Sequence, residues 1–397
     1  MKITEDIRFI GVNDMDIDLF EGQFIVPEGM AYNSYVIIDE KIAVMDSVDR
    51  GFGEQWIANL EAELGGRKPD YLVVHHMEPD HSSNIMLFAD RYPEAVIVSS
   101  AMAFKMMKNY FGTDFAGRSK IVKEGDTLEL GKHTLSFITA TNVHWPEVIM
   151  SYDAADKAVF SADAFGKFGA LSEAEIDGSF ADDAEYDFME DWACEARRYY
   201  IGIVGMHGAM VQPVLGKLAN LDVKMICPLH GPVLTKDLGQ YIEKYQIWSS
   251  YGVESDGVVI AYTSVYGHTK EAAELLASKL EAKGVEIEIT DLARDDMAEA
   301  VEDAFRYGKL VLATTTYNGD IFPIMRTFID ELVERKYKNR KVAFIENGSW
   351  APTAAKKMQA KLEGCDITYA ENGVKILGAM DEENVAQIEA LAEELAK

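Results

Sequence analysis

The chain has 397 residues, of which 48% are apolar and 26% charged, the composition of a folded protein with room for two domains rather than of a disordered one. Its 38 Lys and Arg against 67 Asp and Glu leave a net charge of −29, a field that repels phosphate backbones and anionic bilayers and so excludes nucleic acid and membrane surfaces as expected partners. The amino-terminal stretch MKITEDIRFIGVNDMDID carries acids where a secretory leader needs an apolar run, and no apolar run approaches bilayer length, so a cytoplasmic protein is expected.

In chain order, the first half reads as short strands broken by turns and helices: SYVIID, KIAVMD, EAVIVSS, TLEL, TLSFITA, VIMSY and KAVFS. Within GFGEQWIANLEAELGG, the residues Phe52, Trp56, Ile57, Leu60 and Leu64 fall on one helical stripe, and Gly65-Gly66 ends it. Strand meanders with helices outside predict an α/β sandwich of two sheets over residues 1–250. After a helical pattern through LGQYIEKYQIWSS, the polar, glycine-bearing segment 251–257 marks a boundary. From 257 to 397 strands and helices alternate regularly, which predicts a parallel, doubly wound sheet. Cys194, Cys227 and Cys365 are widely separated and form no CxxC knuckle, so any metal must rely on N and O ligands.

The stretch YLVVHHMEPDHSSN, residues 71–84, holds three of the chain's 8 histidines directly after an apolar run. On an extended backbone His76 and Glu78 point to one side and His75 to the other, which makes His75 a structural residue or one that supports a ligand from behind. Asp80 and His81 follow Pro79. A polar loop in which Asp80 or Ser82 caps the following helix would explain one carboxylate and leave the histidines without a task. Matching donors follow later strands: His144 in TNVHWPE after LSFITA, Asp163 in SADAF after KAVFS, and His230 in ICPLHGP after VKMI. His133, in the turn LGKHT, and His207, in VGMHGAM, read as structural.

In the second half, AYTSVYGHTKEAAE ends a strand, passes through Thr263, Ser264, Val265, Tyr266, Gly267 and His268, and opens a helix near Thr269. Backbone N–H groups at that helix start, with the hydroxyls of Thr263, Ser264 and Thr269, make a single-phosphate site. Two later loops lie at strand ends: TTTYNGDIFP, with Thr315, Thr316, Tyr317, Asn318 and Gly319, and ENGSWAP, with Asn347, Gly348, Ser349 and Trp350. Each sets an aromatic beside small polar residues, as an isoalloxazine ring needs.

The order H-x-[H/E]-x-D-H followed by His, Asp and His at strand ends resembles the metallo-β-lactamase fold, an αββα sandwich. Glu78, where most hydrolases of that fold carry a histidine, resembles the flavodiiron proteins. The half from 257 to 397 resembles flavodoxin, although Thr314-Thr315-Thr316 stands where relatives often begin that loop with proline. Together the two halves resemble a flavodiiron protein over nearly the whole chain. The resemblance implies FMN and two iron ions: one iron on His76, Glu78 and His144, the other on Asp80 and His230, with Asp163 bridging and His81 a ligand or a turned-away neighbour. It also implies reduction of O2 to water, of NO to N2O, or of both. No CxxC pairs supply a fused rubredoxin, so electrons are expected from a separate donor such as rubredoxin or a reduced deazaflavin cofactor. The family's head-to-tail homodimer, alone or doubled to a tetramer, is expected too. The rival reading is a metal-dependent hydrolase whose flavodoxin-like half only binds partners.

Overall fold

A computed structural model describes residues 1–397 and divides into two compact units, Met1–Gln246 and Ile247–Lys397. The division falls inside the helix Leu238–Ser249, a few residues before the composition change at 251–257.

The first unit is built on two sheets. One holds, in spatial order, Ile7–Phe9, Tyr35–Ile37, Ala43–Met45, Tyr71–Val73, Val96–Ser99 and Ser119–Ile121. The other holds Thr127–Glu129, Thr134–Thr139, Ile149–Asp153, Ala158–Phe160 and Met225–Cys227. Ala43, Met45, Val73 and Val98 of the first sheet share one buried cluster with Leu135, Phe137, Ile149, Phe160 and Cys227 of the second, so the sheets face each other across the core. Helices cover the outer faces. In Gly53–Leu64 the buried residues Trp56, Ile57, Leu60 and Leu64 form the expected stripe, and Gly65 ends the helix with a φ of 56°, where a side chain would be strained.

In the second unit the parallel order is Glu286–Asp291, Ser255–Tyr262, Tyr307–Tyr317, Lys341–Asn347, and then Thr368–Tyr369 and Val374–Ile376, one after the other along the same edge of the last. The first strand in sequence thus has neighbours on both sides, and the topological switch point lies between its carboxyl end and that of Tyr307–Tyr317, where ligands bind in such folds. The loop after Tyr307–Tyr317 is a tight hairpin: Thr316 pairs with Ile321 and Tyr317 with Asp320. Asn318 and Gly319 form its tip at φ of 51° and 70°, the Asn-Gly signature of a two-residue turn.

Candidate metal centre and cofactor cleft

The seven donor residues of the first unit converge at the carboxyl ends of strands, in two groups. In the first, Glu78 Oε2 lies 3.1 Å from His76 Nε2 and 3.0 Å from His144 Nε2, and Asp163 Oδ2 lies 3.3 and 3.1 Å from the same two nitrogens. In the second, His81 Nε2 is 2.9 Å from His230 Nε2, and Asp80 Oδ2 is 3.3 Å from each. Asp163 belongs to both: Oδ1 is 3.4 Å from His81 Nε2 and 3.9 Å from His230 Nε2. One carboxylate thus turns an oxygen to each pocket, as a bridge would.

The arrangement fits two cations on chemical grounds. Neighbouring donors about 3 Å apart form the edge of a coordination shell whose ligands each lie about 2.1 Å from a central ion. Two imidazole nitrogens facing each other at 2.9 Å are favourable only with a proton or a cation between their lone pairs. Asp80 Oδ1 and Asp163 Oδ1 are buried without a hydrogen-bond partner, which is costly for carboxylates unless an ion meets them. Electrostatics say the same. Burial opposes charge on His144, but Asp163 and Glu78 raise it to about 9. Burial would raise Asp163, yet His76, His144 and His81 hold it well below the usual carboxylate range, and Glu78 is held down in the same way by His144 and His76. The carboxylates hold positive charge in the site, as protons when no metal is bound, and binding a metal releases those protons.

Asp80 and Ser82 do not serve as helix caps. The short helix Pro79–Ser82 has no side-chain cap at Glu78, and Ser82 Oγ donates to the Met77 carbonyl at 2.9 Å. The helix Ile85–Arg91 likewise begins at Asn84 with no side-chain cap. His75 faces away from the pockets: Nδ1 meets Asp46 Oδ2 at 2.5 Å and Nε2 meets Ser151 Oγ at 2.8 Å, all buried. Asp46 Oδ1 also accepts from the His75 backbone N–H at 2.6 Å, which pins the turn that aims His76. His133 is bound between Asp153 (2.9 Å) and Asp6 (3.0 Å), and burial lowers His207.

Several residues at the site were not singled out from the sequence. Glu147 Oε1 meets His76 Nδ1 at 2.8 Å, and His230 Nδ1 donates to the Ala31 carbonyl at 2.7 Å. Phe20, Tyr32 and Tyr199 surround the His230 ring edge-on or tilted, with centroids at 5.4, 5.9 and 5.5 Å. Glu21, at the tip of the hairpin formed by Leu19–Phe20 and Phe24–Ile25, loses part of its hydration and faces Glu78, which together raise it to about 7. An acid three residues after a ligand-type histidine, as in HWPE, was the legible signal for Glu147; nothing local marks Glu21 or Tyr199.

In the second unit a cleft of about 80 Å³ is lined by Ser264, Val265, Tyr266, His268, Thr269, Thr315, Asn347, Gly348, Ser349 and Gly378. The helix His268–Glu281 starts beside it with Gly267 at a φ of 100° and no side-chain cap, so its first N–H groups are open to an anion. Ser264 Oγ accepts from the Gly267 N–H at 3.1 Å and shapes the turn. Around the rim Tyr266 is 91% and Trp350 90% exposed, with Tyr317 half as much, which is apolar surface suited to a planar ring. Hydroxyls of two of the threonines also make contacts within the protein. Thr263 Oγ1 is buried against Thr314 Oγ1 at 2.6 Å, and Thr316 Oγ1 accepts from the Thr353 and Ala354 N–H groups at 2.8 and 3.1 Å. Gly378, from the loop after Val374–Ile376, adds a wall the sequence did not suggest; its N–H and C=O pair with the Asn347 side chain at 3.1 and 2.9 Å.

Residues 30–231 match the ODP family beta lactamase and residues 259–375 match a flavodoxin domain. The chain is 31% identical over 371 residues to a nitric oxide reductase of Moorella thermoacetica, covering 92% of this chain and 90% of that one. It is 27% identical over 368 residues to an anaerobic nitric oxide reductase flavorubredoxin of Vibrio vulnificus, covering 91% of this chain and 72% of that one. Among solved structures, the flavodiiron protein of Giardia intestinalis superposes with a TM-score of 0.92 at 25% identity, covering 100% of this chain and 95% of that one. The rubredoxin oxygen:oxidoreductase of Desulfovibrio gigas shares the fold with a TM-score of 0.91 at 23% identity, covering 100% and 97%.

Proposed function

This chain belongs to the flavodiiron protein family, and from that premise we propose that it is an oxidoreductase that reduces O2 to water, NO to N2O, or both, at a non-haem di-iron site fed by FMN. The observation that carries the reading is the pair of donor groups sharing Asp163, with the hard oxygen of Glu78 where a zinc hydrolase would use an imidazole. His76, Glu78 and His144 would hold one iron, Asp80, His81 and His230 the other, and Asp163 both. The cleft from Ser264 to Thr269, with Thr315, Asn347, Gly348 and Ser349, would hold FMN, and Tyr317 or Trp350 would cover its ring. When bound, the two irons supply open coordination positions for a small diatomic, and the flavin supplies reducing equivalents.

The chain's own residues prepare that chemistry. Phe20, Tyr32 and Tyr199 wall the His230 side with rings, which excludes water from one flank and leaves the charged donors in a low dielectric. Asp46 and Glu147 fix the turn and the ring of His76, so the pocket it shares with Glu78 and His144 is held in shape before a substrate arrives. The free thiols of Cys227 and Cys365 agree with a reducing, cytoplasmic setting.

The two cofactor sites lie in different units of the chain, 1–250 and 257–397 in functional terms, and electron transfer requires them to approach. A head-to-tail homodimer, which closes on itself, meets that need by pairing the flavin of one copy with the irons of the other, and a tetramer built of two such dimers keeps the same pairing. Electrons would enter from a separate carrier such as rubredoxin or a reduced deazaflavin.

The test is anaerobic turnover of the flavin-reduced protein with O2 and with NO, beside metal and flavin analysis. Iron, FMN and consumption of either gas are expected. Zinc with no flavin, and no gas turnover, would favour a hydrolase instead. For the assembly, subunits carrying His76→Ala are exchanged with subunits carrying Gly267→Val; recovered activity is expected, and mixtures that stay inactive despite proven exchange would refute the inter-subunit pairing.

A further inference from the structure

The two pockets are not equivalent, and the difference lies behind the histidines rather than among the donor atoms. His76 is fully buried, and its Nδ1 is held at 2.8 Å by Oε1 of Glu147, a carboxylate only 2% exposed. The same oxygen accepts from the Met77 N–H at 2.8 Å, while Oε2 is buried without a hydrogen-bond partner. The backbone of Glu147 is itself anchored, since Ser100 Oγ donates to its carbonyl at 2.8 Å. In the other pocket His230 Nδ1 donates to a neutral carbonyl, that of Ala31, and His81 Nδ1 is buried with no partner.

We propose that Glu147 is the positioning residue that makes the pocket of His76, Glu78 and His144 the stronger electron donor of the two, holding its iron toward the ferric state relative to the iron on Asp80, His81 and His230. The inference rests on the di-iron reading. A carboxylate accepting the Nδ1 proton fixes the tautomer that leaves Nε2 free for a metal, locks the ring plane, and pushes negative charge onto the ligating nitrogen. A backbone carbonyl does the first two and far less of the third. The unpartnered Oε2 sharpens the contrast: no second donor spreads the charge of this carboxylate, and in a dry interior such a charge demands a nearby cation. The cation available through His76 is the metal. A ligand set with more negative charge favours the higher oxidation state, so the two irons differ in potential although both pockets share Asp163.

The test uses three variants of the full-length protein. Glu147→Gln keeps an oxygen for His76 Nδ1 and the Met77 N–H but removes the charge. It should retain both irons and raise the midpoint potential of one of them, a tenfold change in the ferric to ferrous ratio reading as about 59 mV for one electron. Glu147→Ala removes the hydrogen bond as well. In a cobalt(II) titration of the metal-free protein, followed by ligand-field absorption, it should weaken one of two binding steps by about 10- to 100-fold and leave the other unchanged. Glu147→Asp keeps the charge, should hold the wild-type potential more closely than Glu147→Gln does, and scores the proposal should Glu147→Ala fail to fold. Melting temperatures that fall while potentials and cobalt affinities stay at wild-type values would mean that Glu147 only ties His76 to Met77, and would overturn the proposal. A wild-type protein that takes zinc and no iron would sink the di-iron reading, while the cobalt titration would still decide whether Glu147 strengthens one pocket.

Discussion

Gly231→Ala perturbs one pocket without touching any donor atom. Gly231 follows His230 at a φ of 79°, in the left-handed region, where a Cβ costs about 1–2 kcal/mol. That Cβ would stand 2.9 Å from the Lys167 backbone nitrogen and 3.0 Å from Lys167 Cγ, and overpacking against a backbone adds about 1–3 kcal/mol. Relief requires moving either Gly231, which carries His230, or the turn at 166–167, which follows Asp163 and is tied to it by the Gly166 N–H to the Asp163 carbonyl at 3.1 Å. His230 has little freedom, being held from behind by the Ala31 carbonyl. Either movement spoils the pocket of Asp80, His81 and His230, where both His230 and the Asp163 Oδ1 side lie; the other pocket is reached only through the shared Asp163. If the metal-free chain relaxes and binding must restore the native loop, the combined cost of about 2–5 kcal/mol appears chiefly as a roughly 30- to 4,000-fold loss of affinity for one ion. If the chain does not relax, the same cost appears as lost thermal stability. The assay is iron or cobalt titration of the metal-free protein with a competing chelator, beside a melting curve. Gly66→Ala is the control, because Gly66 has a φ of 86° but open space around its Cβ; it should lower stability by about 1–2 kcal/mol and leave both metal steps alone. Two metal steps and a melting temperature that are all unchanged in Gly231→Ala would refute the reasoning.

Three further outcomes are expected. Glu78→Ala removes the oxygen that lies within 3.1 Å of two histidine nitrogens, so iron content should fall by about half and gas reduction should cease, as metal analysis and turnover would read. Gly267→Val forces a branched side chain onto a φ of 100°, costing about 1–3 kcal/mol, and should weaken FMN binding in a fluorescence titration while leaving the iron content unchanged. His133 is raised to about 9 because Asp153 and Asp6 outweigh the burial that opposes its charge. Its folded-state value lies above its ordinary one of about 6.5, so its contribution is fully present below pH 6.5 and is lost as pH rises through 9. His133→Gln should therefore cost roughly 2 kcal/mol in denaturant melts at pH 6, allowing for the water that reaches Asp6, and the difference from the parent should shrink toward pH 10.

The sequence by itself determined what depends on local pattern. Apolar runs ending in His, Asp and Glu put seven metal-type donors just past strand ends, since a strand must leave its sheet before a polar side chain can escape the core. Alternation along an extended chain set His75 apart from His76, and His75 indeed turns to Asp46 and Ser151. Regular strand and helix alternation after 257 specified a parallel sheet, because parallel neighbours need a crossover between them. Tertiary structure decided everything that joins distant segments. It sorted the donors into two groups, turned one oxygen of Asp163 to each, and aimed His81 inward at His230. It spent the Thr263 and Thr316 hydroxyls on Thr314 and on the turn at Thr353, and brought Gly378 to the cleft. It carried Glu147 to His76, across 71 residues of chain. These outcomes depend on how two sheets pack and which rotamers that packing allows, and side-chain contacts between remote loops leave no period or spacing in a single sequence to read.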